Sequence, residues 1–212
     1  MRSLTAKRAR QRQTSRASNA LGKKTAELSD PAVFCLKNRE ELAYTKDMKV
    51  VIFPLRLRHV FSFARLKRDI ESSASHLVVS GGERRESALH IIARMIVSRR
   101  KLYTLIAADD SGFVGYVSLV FPRFRKLQGN AYLTISVKDS SRGQGVGTLL
   151  MKSAEEFARV RGARRIELDV LSKNKGAVRL YERLGYVTEG RRSQAVQDDD
   201  GFDDVVMMAK FL

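Results

Sequence analysis

An abrupt change of apolar period, centred on a glycine-rich joint, constrains the fold of this 212-residue chain more than any other feature. Before the joint, residues 102–108, 113–121 and 131–137 are β-rich runs parted by turn chemistry at 109–112 and 128–130. The first two predict a hairpin and the third continues an antiparallel meander. Beyond the joint, Val146, Leu149, Leu150, Ala154, Phe157 and Ala158 fall on one helical face, and Gly162 suits the position after the helix end. Residues 165–171 then alternate Ile166, Leu168 and Val170 with Glu167 and Asp169, a half-buried strand. A short helix over 175–184 stops at Gly185, and strands at 186–197 and 204–212 flank an acidic turn. Upstream, 49–57 reads as a strand entering a turn at Pro54, followed by helices over 58–73 and 84–99 with a loop at Ser80, Gly81 and Gly82. Ala88, Ile91, Ile92 and Met95 set the spacing of the second helix. The order is that of an α/β fold on a mixed sheet.

Composition bounds what such a fold can be. With 43% apolar and 30% charged residues, most of the chain can bury a core, so wholesale disorder is excluded. The longest apolar stretches, such as 113–121, have about half the length of a membrane-spanning helix. No secretory signal is expected, because no apolar core follows the N-terminal basic residues. The single Cys35 rules out an internal disulfide and suits a reducing, cytoplasmic setting. His59, His76 and His90 are too scattered for a metal cluster, so no metal is expected.

The formal charge is +17 and unevenly spread. Residues 1–24 carry Arg2, Lys7, Arg8, Arg10, Arg12, Arg16, Lys23 and Lys24 without one acid. They predict a basic, disordered extension over 1–46 ahead of a folded domain over 47–212. The extension fits a solvated tail, weak contact with RNA or another polyanion, or a transit peptide, although the last would want an amphipathic stripe.

The joint itself runs Lys138-Asp-Ser-Ser-Arg142-Gly143-Gln144-Gly145-Val146-Gly147-Thr148. Glycines let backbone amides approach a ligand, and the helix that follows presents unpaired N–H groups at the positive end of its dipole, which suits a diphosphate. A nucleotide P-loop would need Gly-Lys-Ser/Thr, and a dinucleotide fingerprint a third glycine where Thr148 or Leu150 stands. Taken alone, the joint fits a plain strand-to-helix connection equally well. Downstream, Asn174-x-x-Ala177-x-x-Leu180-Tyr181-x-x-x-Gly185-Tyr186 covers the short helix. There Asn174 could simply cap the helix, and Tyr181 could be a half-buried core residue.

Together these residues resemble a family. Arg142-x-x-Gly145-x-Gly147 is similar to the acyl-CoA pyrophosphate motif of the GNAT N-acetyltransferases, and the Asn174–Tyr186 pattern is similar to their second motif at every specified position. The resemblance covers about residues 48–212 and is strongest over 133–188. It implies a mostly antiparallel mixed sheet flanked by helices, with a splayed strand at the acyl-CoA site. It also implies that acetyl-CoA, without a metal, gives its acetyl group directly to a primary amine. On this resemblance Ile135, Ser136 and Val137 hold the pantetheine arm through their backbone, and the amide of Val137 polarises the thioester carbonyl. Arg142, Gly143, Gln144, Gly145, Val146, Gly147 and Thr148 hold the pyrophosphate, and Asn174 contacts the pantetheine or nearby backbone. Tyr181 is the expected general acid for the departing thiolate.

One position departs from the family. Tyr132 stands about where many relatives have a glutamate base, so Glu167 becomes the substitute base, with Asp169 a second candidate. The five aspartates Asp198, Asp199, Asp200, Asp203 and Asp204 form either a polar turn or an anionic rim for a cationic acceptor. The expected partners are an amine acceptor, small molecule or protein, and no membrane; a homodimer is left open. The competing expectation is a CoA-binding, nucleic-acid- or ribosome-associated module without turnover.

Overall fold

The computed structural model describes residues 43–45, 50–73, 87–98, 101–198 and 201–212. Expectations for residues 1–24, Cys35, His76, the loop at Ser80, and Asp199 and Asp200 lie outside the described residues. Eight strands form one sheet in the order β1-β2-β3-β4-β5-β6-β8-β7. They are β1 (Ala43–Thr45), β2 (Val50–Pro54), β3 (Leu102–Asp109), β4 (Gly112–Val120), β5 (Asn130–Val137), β6 (Arg165–Leu171), β7 (Val187–Asp198) and β8 (Gly201–Phe211). All neighbours run antiparallel except β5 and β6. The helices are α1 (Val60–Ser73), α2 (Ala88–Val97), α3 (Val146–Val160) and α4 (Lys175–Arg183). This is the α/β fold on a mixed sheet that the patterning implied, mostly antiparallel as the resemblance implied. One difference lies at its edge: Ala43–Thr45 pairs with β2, so the sheet reaches into the stretch read as an extension. Among the described residues no helix is long and apolar enough to cross a membrane.

Strand alternation divides the core in two. Leu105, Ala107, Val117, Leu119 and Leu133 point to one face, where α3 covers them with Leu150, Met151, Ala154 and Ala158. Ile106 and Tyr116 point to the other, against Phe63, Leu66 and Ile70 of α1 and Ile91 of α2. Each fully buried Leu or Ile contributes about 1.5–3 kcal/mol, so α3 alone is firmly fixed. An ion pair between Lys210 Nζ and the buried Glu155 Oε2 (2.6 Å) also ties α3 to β8. Helix α3 starts at Val146 and ends before Gly162, whose φ of +82° is the left-handed conformation expected after a helix end.

The parallel junction places the site. β5 and β6 pair only through Asn130↔Arg165, Ala131↔Ile166 and Tyr132↔Glu167. Beyond Tyr132, β5 stays on β4 as far as Val137, while β6 follows β8. The two strands part in a V.

Candidate active site

The open edge of the V is set by the parity of one ladder. The Lys138 N–H donates to Val114 O (2.9 Å), continuing the β4–β5 pairing. Antiparallel ladders alternate, so Tyr132, Thr134 and Ser136 use their backbone groups on β4. Leu133, Ile135 and Val137 turn theirs towards β6, which has already moved away. The backbone groups of Ile135 and Val137 therefore face the opening between the strands. Ser136 is corrected: its backbone belongs to β4, and its side chain lines the cavity instead.

That cavity, of about 1150 Å³, fills the V and opens at the N-terminus of α3. Gly145 is the residue before α3, at φ +85° and with no side-chain cap. The first amides of the helix are thus left for a ligand, with the positive helix end behind them. Gly143 is also left-handed, at φ +73°. A Cβ on Gly147 would meet Leu180 Cδ2 at 3.1 Å, so α3 and α4 pack closely at this point and a larger residue would have to push the leucine tip aside. Arg142, Gly143, Gly145, Gly147 and Thr148 line the cavity. Gln144 does not; it is exposed, and its Nε2 donates to Ser140 O (2.9 Å). The side chain of Val146 points into the core. Arg142 lies 2.8 Å from Asp139, an exposed pair that a phosphate could displace.

Asn174, Ala177, Leu180 and Tyr181 of the second motif line the same space, and Asn174 and Tyr181 bring polar groups to it. Asn174 lines the cavity while its Oδ1 accepts from the Ala177 N–H (3.1 Å), so it caps α4 as well. Tyr181, 6% exposed, packs into the core and faces the cavity. Burial, with Tyr132 nearby, pushes its pKa up to about 12. A phenol so placed stays protonated at neutral pH and keeps an O–H to donate.

Glu167 is corrected as a base. It does not line the cavity; its Oε1 accepts from Asn130 Nδ2 (3.0 Å) and Arg165 Nε (2.8 Å). Asp169, two residues on and on the same sheet face, does line it and is paired with Arg192. Burial first and Asp169 second raise the pKa of Tyr132. Of the two readings of the aspartates, Asp203 and Asp204 take the polar turn. Asp203 is buried, and its carboxylate accepts from Ser172 Oγ (2.7 Å) and the Lys173 N–H (3.2 Å). Burial opposes its charge, but these hydrogen bonds and that of the Asp204 N–H outweigh it and hold the carboxyl below its ordinary range. Asp204 takes Arg191 Nε (2.5 Å) and the Gln194 N–H (2.7 Å). Both aspartates tie the hairpin together, and Asp203 fixes the turn that leads into Asn174.

Sequence reasoning missed the polar floor and the cations around it. Ser118 and Thr134 line the cavity, as do Lys67, Arg94 and Lys101. The alternation of Tyr132, Thr134 and Ser136 with Ala131, Leu133, Ile135 and Val137 was the available signal for that floor.

A family model described as the acetyltransferase (GNAT) family matches residues 69–186. An L-methionine sulfoximine/L-methionine sulfone acetyltransferase of Pseudomonas aeruginosa is 31% identical over 106 residues, covering 49% of this chain and 62% of that protein. Several of the curated relatives are likewise matched over less than two thirds of their length. Among solved structures, a GNAT-family acetyltransferase from Streptococcus pneumoniae superposes with a TM-score of 0.71 at 23% identity, over 77% of this chain and 99% of that one. A Salmonella typhimurium acetyltransferase structure with its cofactor acetyl-CoA gives 0.68 at 16%, over 77% and 94%. At such identities the likeness speaks for the fold.

Proposed function

This chain belongs to the GNAT acetyltransferase family, and from that premise we propose that it moves an acetyl group from acetyl-CoA directly onto a primary amine. One observation carries the reading: a strand edge with unused amides, an uncapped helix N-terminus and a buried, protonated phenol open onto one cavity. Acetyl-CoA supplies an activated acetyl thioester. The amides at the start of α3 and Arg142 fit its pyrophosphate, and Ile135 and Val137 fit the pantetheine amides. The Val137 N–H polarises the thioester carbonyl, an oxyanion-type contact. Tyr181 gives its proton to the departing thiolate, and the proton that the amine nitrogen sheds on becoming an amide restores the phenol. Holding both reactants in one V supplies most of the acceleration, through proximity. The reading without turnover has no support among the relatives. A reducing, cytoplasmic setting goes with the single Cys35.

Titration calorimetry with acetyl-CoA and with CoA tests the carrier site, with binding of both expected. Mass detection of acetylated products from an amine panel tests transfer. No heat with either carrier, or binding with no product from any amine, overturns the reading.

A further inference from the structure

Among the described residues two carboxylates are buried, Asp203 and Glu155. Asp203 fixes a turn, but the chemistry above makes no use of Glu155, which lies outside the cavity on α3. Its Oε2 takes Lys210 Nζ of β8 at 2.6 Å, and that ammonium also stands 5.8 Å over the ring of Tyr186. Glu155 Oε1 and the Tyr186 hydroxyl are sealed from water, and neither has a hydrogen bond of ordinary geometry. The carboxylate still acts on that phenol: after burial, it is what raises the pKa of Tyr186. Unmet polar atoms in a core are costly, and packing alone would favour phenylalanine at 186 and an apolar residue at 155. The hydroxyl and the acid therefore call for another role.

The end of α4 connects this cluster to the acid. Gly185 follows the helix at φ +87°, its N–H donates to Glu182 O (2.9 Å), and the Tyr186 N–H donates to Tyr181 O (3.0 Å). A helix closed in this way packs the second residue beyond its end against the one that opens its last turn. Here those two residues are Tyr186 and Tyr181, with ring centroids 6.0 Å apart. Burial and the nearby Tyr132 act on the Tyr181 hydroxyl, with no hydrogen bond from a described residue among the influences on it. Packing therefore has to aim that hydroxyl, and Tyr186 is one wall of the packing. We propose that Glu155 and Lys210 pin Tyr186 by its hydroxyl end and ring face, and that Tyr186 in turn holds the ring of Tyr181 turned into the cavity. Tyr186 and Glu155 are thus positioning residues for the acid, acting from α3, β8 and the end of α4 at once. The inference rests on the acetyl-transfer reading and extends the machinery around its acid. Aim matters because a displacement of about 1 Å at a reacting group can cost about 10²-fold in rate.

Single-turnover kinetics on the full chain tests this, with whichever amine of the panel reacts fastest. Tyr186→Phe and Glu155→Gln are each measured alone and combined with Tyr181→Phe. Alone, each should slow transfer about 10-fold while calorimetric affinity for acetyl-CoA moves less than about 2-fold. In the Tyr181→Phe background the same substitutions should change the rate less than about 2-fold, because no acid is left to aim. A merely structural role would cost the same in both backgrounds. Circular dichroism shows whether each variant folds. Tyr186→Phe, which loses one oxygen and keeps the ring, decides the matter if Glu155→Gln does not. An unchanged rate in Tyr186→Phe, or equal losses in both backgrounds, overturns the positioning and leaves acetyl transfer by way of Tyr181 standing. No fall on Tyr181→Phe alone overturns the acid, and no product from any amine overturns the transfer reading; either result takes this inference with it.

Discussion

The two faces of the sheet are each covered by two helices, but with unequal commitment. On one face α3 buries Val146, Leu150, Met151, Ala154 and Ala158, and α4 buries Tyr181. On the other, α2 buries only Ile91 and leaves Leu89, Ile96 and Val97 exposed, Val97 by 83%. Packing over-determines the first face, so it can hold a phenol and a row of amides at fixed positions. The second face is held by fewer contacts.

The largest expected effect tests the committed face. Tyr181→Phe keeps the ring and its packing and removes only the proton, so turnover should fall by about 10²–10⁴-fold. Binding of acetyl-CoA, read by calorimetry, should change less than about 2-fold. Unchanged turnover with chemistry shown to be rate-limiting would strip the face of its acid.

The same burial predicts how stability depends on pH. The folded pKa of Tyr181 is about 12, above the ordinary value of 10. Between those values the folded state holds more protons than the unfolded one, so stability falls as pH rises. The contribution is fully present below pH 10 and lost by about pH 12, a loss of up to about 3 kcal/mol for two pK units. Tyr186 is shifted in the same direction by burial first and by Glu155 next, and adds to the slope. Urea midpoints at pH 9 and 11 measure the fall, and Tyr181→Phe should reduce it. A flat profile would mean that the phenol is not sealed in.

A smaller effect belongs to the joint. Gly145 holds a left-handed conformation, so Gly145→Ala should destabilise the loop by about 1–2 kcal/mol and weaken acetyl-CoA binding by about tenfold. Affinity equal to that of the unsubstituted chain would show that the loop does not need this geometry for the carrier.

This contrast also explains what the sequence revealed. Gly145, Gly147 and Tyr181 could be read because backbone conformation and helix spacing leave local marks. Placing Glu167 ahead of Asp169 had no local mark behind it, since both point to one sheet face. Which of them reaches the cavity depends on where β5 leaves β6, immediately after Tyr132↔Glu167, and that is decided by tertiary pairing. Asp203 read as a turn residue because nothing local announces its burial beside Ser172.

The smallest effect tests the loosely held face. Val97 sits at the end of α2 with its side chain almost wholly in solvent, so Val97→Ser removes no packing. The expected change in unfolding free energy is within about 0.5 kcal/mol, measured by urea titration. By contrast, Leu150, fully buried under α3, should cost about 2–5 kcal/mol when cut to alanine. A Val97→Ser loss approaching the Leu150→Ala value would mean that α2 is covered in solution, and the inequality between the two faces would then belong to the isolated chain alone.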